Sequence, residues 1–216
     1  MLEQYLPNVN WERVWEATNQ TLYMTGISVV AVFILGIILG LILFLTSKGN
    51  IWENRLVYGI VGAYVNIFRS IPFIILIVLL IPFTKIIMGT MIGEKAALPA
   101  LIIGTAPFYA RMVEIALREI DKGVIEAARA MGAKTSTIIW KVLLPESMPA
   151  IISGITVTTI ALIGSTAMAG AVGAGGLGNL AYLQGFQLSR PDVTLVATII
   201  ILVIVFVIQF YLYISI

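Results

Sequence analysis

Cysteine and histidine are both missing from this chain of 216 residues. Their absence excludes a disulfide, a thiolate nucleophile, an imidazole base and the usual zinc sites. Charge is also scarce: Asp, Glu, Lys and Arg make up 11% of the residues, against roughly 25% in a soluble domain. The 13 basic residues barely outnumber the 11 acidic ones, so no basic field exists that would hold nucleic acid through its phosphates. What is abundant is apolar surface, 60% of the chain, a composition that belongs in a bilayer. The amino-terminal stretch carries Glu3, Glu12, Arg13 and Glu16 and lacks the positive-then-apolar pattern of a cleaved signal peptide. The first apolar span is therefore expected to be its own insertion signal.

A spanning helix needs about 20 mostly apolar residues, and five such spans are expected, at 21–46, 57–83, 96–117, 147–172 and 193–216. The second contains Arg69 and Pro72, and the third becomes charged at Arg111, Glu114 and Arg118. No charge lies between Glu146 and Arg190, yet Gly170 to Gly178 is too rich in glycine for a good continuous helix. Backbone there is expected to turn back or to lie shielded, since peptide groups facing lipid would be unsatisfied. The expected fold is all-α, a polytopic membrane protein forming a single transmembrane domain over residues 1–216. Lys48, Arg55, Arg111, Arg118, Lys122, Arg129, Lys134 and Lys141 gather on one side if the spans alternate, which makes that side cytoplasmic. Arg13, Lys85, Lys95 and Arg190 are left on the other side. The amino terminus is then outside and the carboxyl terminus inside. One such chain is expected to make half a pore, completed by a homodimer about an axis along the membrane normal.

The loop at about 118–146 carries an ordered pattern. Val124 to Met131 reads as one short helix with Ile125, Ala128 and Met131 spaced for one face, and Gly132 breaks it. Thr135 to Leu143 reads as a second, with Ile138, Ile139, Val142 and Leu143 apolar and Pro145 expected to end it. Apolar faces on a cytoplasmic loop need a partner, either the end of the same bundle or another subunit.

Within that loop Glu126, Ala127 and Ala128, then Gly132 after three residues, then Val142, Leu143, Leu144 and Pro145 after nine more, resemble the EAA loop of ABC importer permeases. Val142 stands where isoleucine is usual. Asn66 to Phe73, Ala106 to Glu114 (with Phe108, Arg111 and Met112), the run Gly170 to Gly178, and Ile208, Gln209 and Phe210 are similar to the methionine importer permeases, the MetI family. The glycine run is shared with related betaine and phosphonate systems. Such permeases usually finish in a short charged tail, whereas this chain ends Tyr211, Leu212, Tyr213, Ile214, Ser215, Ile216, which leaves the last turn of the fifth span open.

The resemblance implies the five-helix type I ABC importer fold in a bacterial cytoplasmic membrane, and a coupling helix docked in a groove of a cytoplasmic ATPase. Ala127 and Ala128 would allow close approach, Glu126 would supply an acceptor near a helix N-terminus, and Gly132 would allow the bend, with Leu144 and Pro145 closing the motif. It further implies a homodimer, two ATPase subunits that hold ATP and Mg, and an extracytoplasmic substrate-binding protein or lipoprotein. No cofactor, no metal and no catalytic residue is implied on this chain. Methionine is the implied substrate; nothing in the residues themselves selects it over another amino acid, a short peptide or a betaine.

Gly173, Gly175 and Gly178 satisfy the letter of a dinucleotide-binding pattern, but the run follows a membrane helix, and no Lys-Ser/Thr follows to make a P-loop. Asn19, Gln20 and Thr21 form a glycosylation sequon by chance. Arg69, charged inside a span, either meets a substrate carboxylate or bonds carbonyls freed at the Pro72 break. Glu114, with Arg111 and Arg118, is expected to form a network on the helix surface. The small and hydroxyl residues of the fourth span, including Ser165 and Thr166, mean close packing or pathway lining. Met168, a long flexible side chain between Ala167 and Ala169, suits a constriction on the dimer axis. A channel without an ATPase would leave the loop without a partner. A membrane enzyme would need converging polar groups that, Arg69 aside, the spans hardly offer.

Overall fold

The structure, a computed structural model, describes residues 6–214. Asn10 starts the first helix, α1 (Trp11–Thr46), by accepting the Arg13 N–H at 3.1 Å. Its 36 residues reach about 54 Å, well beyond an apolar slab of roughly 30 Å. The helix thus begins ahead of the expected span at Thr21. Its first turns are held by Val14 and Ala17 against Leu177, Val193 and Ala197.

The expected single span 57–83 is three helices. α2 (Arg55–Ser70), capped by Asn54, bends by 108° into α3 (Phe73–Leu79), and α4 (Ile81–Met88) follows. The cause is Pro72, whose ring bars Ile71 from helical geometry; Ile71 is extended at φ −81°, ψ 123°. α5 (Glu94–Arg118) runs the full depth with Pro99 and Pro107 inside it. It crosses α1 where Gly36 and Gly40 leave room: a methyl on Gly40 would lie 2.6 Å from Val113 Cβ, and one on Gly36 would overlap the Tyr109 ring. Small residues one turn apart let two membrane helices approach closely. The core grows from that crossing, with Val32, Tyr109, Val113, Leu117 and Ile151 buried together.

Asp121 caps α6 (Lys122–Ala130) by accepting the Gly123 N–H at 2.8 Å. The chain then turns at Gly132, φ 78°, a left-handed conformation that glycine adopts at little cost. α7 (Thr135–Ile138) continues through a wide π turn at Ile139–Leu143 into α8 (Leu144–Ala169). Pro145 therefore does not end a helix, and the fourth span does not begin afresh near Ser147. The π turn shifts the hydrogen-bond register just before Pro145, so the missing N–H falls in the first turn after the shift.

Beyond α8 a second wide turn, Gly170–Ala174, leads to α9 (Gly176–Asn179), a wide helical turn Leu180–Gln187, and α10 (Pro191–Ile214). The glycine run turns back in a shielded position, as expected: Gly170, Ala174, Gly176, Leu177 and Gly178 are all buried. Ser215 and Ile216, the end of the expected fifth span, and Glu3 lie outside the described residues.

Candidate functional site

At one end of the bundle α6 and α7 pack on the termini of α1 and α5. Ile125, Ala128, Ile138 and Leu143 share a core with Phe44, Leu45, Leu117 and Ile120. The six motif residues of the loop divide accordingly. Ala128 and Leu144 face the protein's own bundle, while Glu126, Ala127, Gly132 and Pro145 face outward. Ala128 thus packs inward rather than offering a surface for another subunit. Glu126 is the fifth residue of α6 and its side chain makes no hydrogen bond among the described residues; the cap is supplied by Asp121 instead. Met131, expected on one face with Ile125 and Ala128, is 81% exposed because α6 ends before it, and Trp140 is 71% exposed. Reading the loop by periodicity missed both; a large apolar residue beside a left-handed glycine was the available signal for Met131.

Just above this surface Glu114 is buried, with its side chain 2% exposed. Arg118 donates to it from Nη2 at 2.7 Å and from Nε at 3.1 Å, and Arg111 Nη1 donates to its other oxygen. Arg111 also donates to Asn66 Oδ1 at 2.9 Å, tying α5 to α2. The expected surface network is therefore built on a buried carboxylate. Burial changes its weight, because an acid removed from water depends on both guanidinium partners.

Along α8 one stripe stays exposed: Ser153, Val157, Ala161, Gly164 and Met168, a helical face of mostly small residues ending in a longer side chain. Met168 is 47% exposed. The exposed face of α10, by contrast, carries Leu195, Ile199, Leu202, Phe206 and Phe210, a lipid-like surface. Ser165 borders the α8 stripe. Thr166 does not: it is buried and donates to Ile163 O at 2.7 Å, so it belongs to the packing side of the helix. Arg69 and Ser165, far apart in sequence, meet at one cleft of about 350 Å³, lined also by Phe73, Leu76, Thr105 and Phe108.

The other end of the bundle is held through the glycine run. Gln20 Oε1 accepts the Gly176 N–H at 2.6 Å and Thr21 Oγ1 accepts the Leu177 N–H at 2.9 Å. Gly175 and Gly176 have φ of 81° and 78°, and a Cβ on Gly176 would come within 2.7 Å of Thr21 Oγ1. Two residues of the chance sequon thus secure the start of α9. Their distance in sequence from the glycines hid the pairing.

Residues 33–215 match the family described as binding-protein-dependent transport system inner membrane component. The chain is 68% identical over 209 residues to the methionine import system permease protein MetP of Bacillus subtilis strain 168, covering 97% of this chain and 94% of that one. It is 52% identical over 157 residues to the D-methionine transport system permease protein MetI of Escherichia coli strain K12, covering 73% and 70%. Among solved structures, a crystal form of the MetNI methionine ABC transporter in inward-facing conformations superposes with a TM-score of 0.90 at 47% identity, covering 93% of each chain.

Proposed function

The chain belongs to the binding-protein-dependent transport inner membrane components, among the methionine import permeases, and from that premise we propose that it is the membrane subunit of an ATP-driven methionine importer. The observation that carries this reading is the 68% identity with a methionine import permease along 97% of the chain. Two copies form the pathway between their α8 faces, and each docks α6 and its flanking turn on a cytoplasmic ATPase that holds ATP and Mg. The chain itself performs no catalysis. An extracytoplasmic binding protein delivers the substrate at the opposite end, where Gln20 and Thr21 hold the glycine turn. The charged end with Lys48, Arg55, Arg118 and Lys134 is cytoplasmic, the amino terminus is outside and the carboxyl terminus inside, by the excess of Lys and Arg in the short loops. The exposed apolar face of α10 meets lipid.

Mechanically, the loop is suited to transmit force. Ile125 and Ala128 anchor α6 to the ends of α1 and α5 while Glu126, Ala127 and Met131 remain free for a partner, so movement of the docked subunit pulls on the bundle as a rigid body. The test is reconstitution of the chain with its ATPase and binding protein in vesicles. ATP-dependent uptake of radiolabelled methionine is expected. Equal uptake without the ATPase would identify a channel instead.

A further inference from the structure

Arg69 is a charge without a counter-charge. It lies about 21 Å along α2 from Arg55, at about 1.5 Å per residue, within the thickness of an apolar slab. Among the described residues its guanidinium makes no ion pair and no hydrogen bond. The carbonyls left free where α2 breaks before Pro72 do not take it. Its neighbour is the Phe108 ring, 6.0 Å from the guanidinium carbon. A guanidinium resting on an aromatic face is oriented by the ring while its N–H fork stays available.

The surrounding cleft has the make-up of a small-molecule site. Its volume, about 350 Å³, falls at the lower end of the roughly 300–1,000 Å³ of ligand pockets. Phe73, Leu76 and Phe108 give it apolar walls, and Thr105 and Ser165 give it hydroxyl oxygens. No acidic side chain lines it. It therefore offers an anion a full charge and a cation only neutral acceptors. The Ser165 hydroxyl donates to Ala161 O at 3.2 Å, which leaves its oxygen free to accept. Ala161 belongs to the exposed stripe of α8 and Ser165 borders it, so the cleft opens beside the proposed pathway.

We propose that this cleft is a substrate subsite in which Arg69 takes the α-carboxylate of an amino acid with an uncharged apolar side chain, the tail lying against Phe73, Leu76 and Phe108. The ammonium group lies toward the oxygens of Ser165 and Thr105. This rests on the reading of the chain as an amino-acid importer permease. Bidentate pairing with Arg69 supplies recognition, and the missing acidic partner keeps the hold weak enough for release, as conduction through a pathway requires.

The chain has no cysteine, so Ala161→Cys, at a lining position that makes none of the proposed substrate contacts, puts a single thiol in the cleft. Labelling of this subunit by N-ethylmaleimide is followed in the purified transporter complex, with L-methionine or with methioninol, which keeps the side chain and ammonium but lacks the carboxylate. At about ten times its half-protecting concentration L-methionine should slow labelling about tenfold by mass action, methioninol should not, and adding Arg69→Gln should abolish the protection. Absence of protection by L-methionine, equal protection by methioninol, or full protection in the Arg69→Gln complex would overturn the subsite. Where Arg69→Gln fails to assemble, Arg69→Lys decides: weaker protection than in the parent supports the assignment, and unchanged protection counts against it. ATP-driven uptake of radiolabelled methionine by the A161C transporter separates the two readings. Uptake without protection removes the subsite alone, whereas no methionine uptake even with the unaltered chain removes the amino-acid reading and the subsite with it.

Discussion

Glu114 concentrates more of the fold's electrostatics than any other described carboxylate, since both salt bridges among the described residues converge on it. Glu114→Gln keeps the shape but leaves Arg111 and Arg118 without a counter-charge. Breaking a buried pair costs about 3–5 kcal/mol, so the thermal midpoint of the solubilised complex should fall clearly. Arg118→Met should cost less than that, because the Arg118 side chain is half exposed and Glu114 keeps the Arg111 guanidinium. An equal loss for both would show that Glu114 is not the centre of the network. Glycine positions allow a similar comparison. Gly40→Ala forces a methyl against Val113 and the Ala110 carbonyl and should cost about 1–3 kcal/mol by overpacking, read as lower membrane abundance. Gly26→Ala, with nothing within 4 Å of the added carbon, should leave abundance unchanged. The composition alone could not rank these glycines, since the ranking depends on which helix passes opposite each one.

Among the elements, α6 and the turn after it form the surface on which the proposed mechanism depends. Ala127→Trp enlarges the outward face of α6, and Gly132→Pro demands a negative φ where the chain holds 78°. Both variants should insert normally, because neither position lies in a spanning helix, yet lose methionine uptake and retain less ATPase through purification. Normal uptake and normal ATPase retention in both would remove the coupling assignment. At the far end of α8, Met168 protrudes from the stripe of small residues. Met168→Cys in the purified dimer should crosslink to its symmetry mate in at least one nucleotide state, and Met168→Ala should raise basal ATP turnover more than it lowers abundance. Failure to crosslink in every state, even with a short reagent, would take this residue off the dimer axis. Helix ends were legible where a local rule governs them, as at Gly132. They were misread at Pro145, where a π turn two residues earlier had already shifted the register. Pro72 was seen as an interruption, but the 108° bend it produces also depends on how α3 packs against α5.

For the whole molecule, topology is the property that can be tested most directly. Single cysteines replacing Lys134 and Arg190 should react with an impermeant reagent in intact cells at position 190 and not at position 134; labelling of position 134 from outside would invert the orientation. The apolar spans, the charge asymmetry of the loops and the EAA-like spacing are properties of short stretches of chain. They follow from the cost of placing charge or free peptide groups in lipid, and so the sequence by itself determined a polytopic helical permease and the location of its EAA-like loop. The tertiary structure alone decided which face of each helix is available. It turned Ala128 and Thr166 inward, left Met131 and Trp140 exposed, buried Glu114, paired Gln20 and Thr21 with the glycine turn, and brought Arg69 to Ser165 across a cleft. These outcomes are set by contacts between residues distant in sequence, where the packing of one helix fixes the surface left to another, and no periodicity within a single helix contains that information.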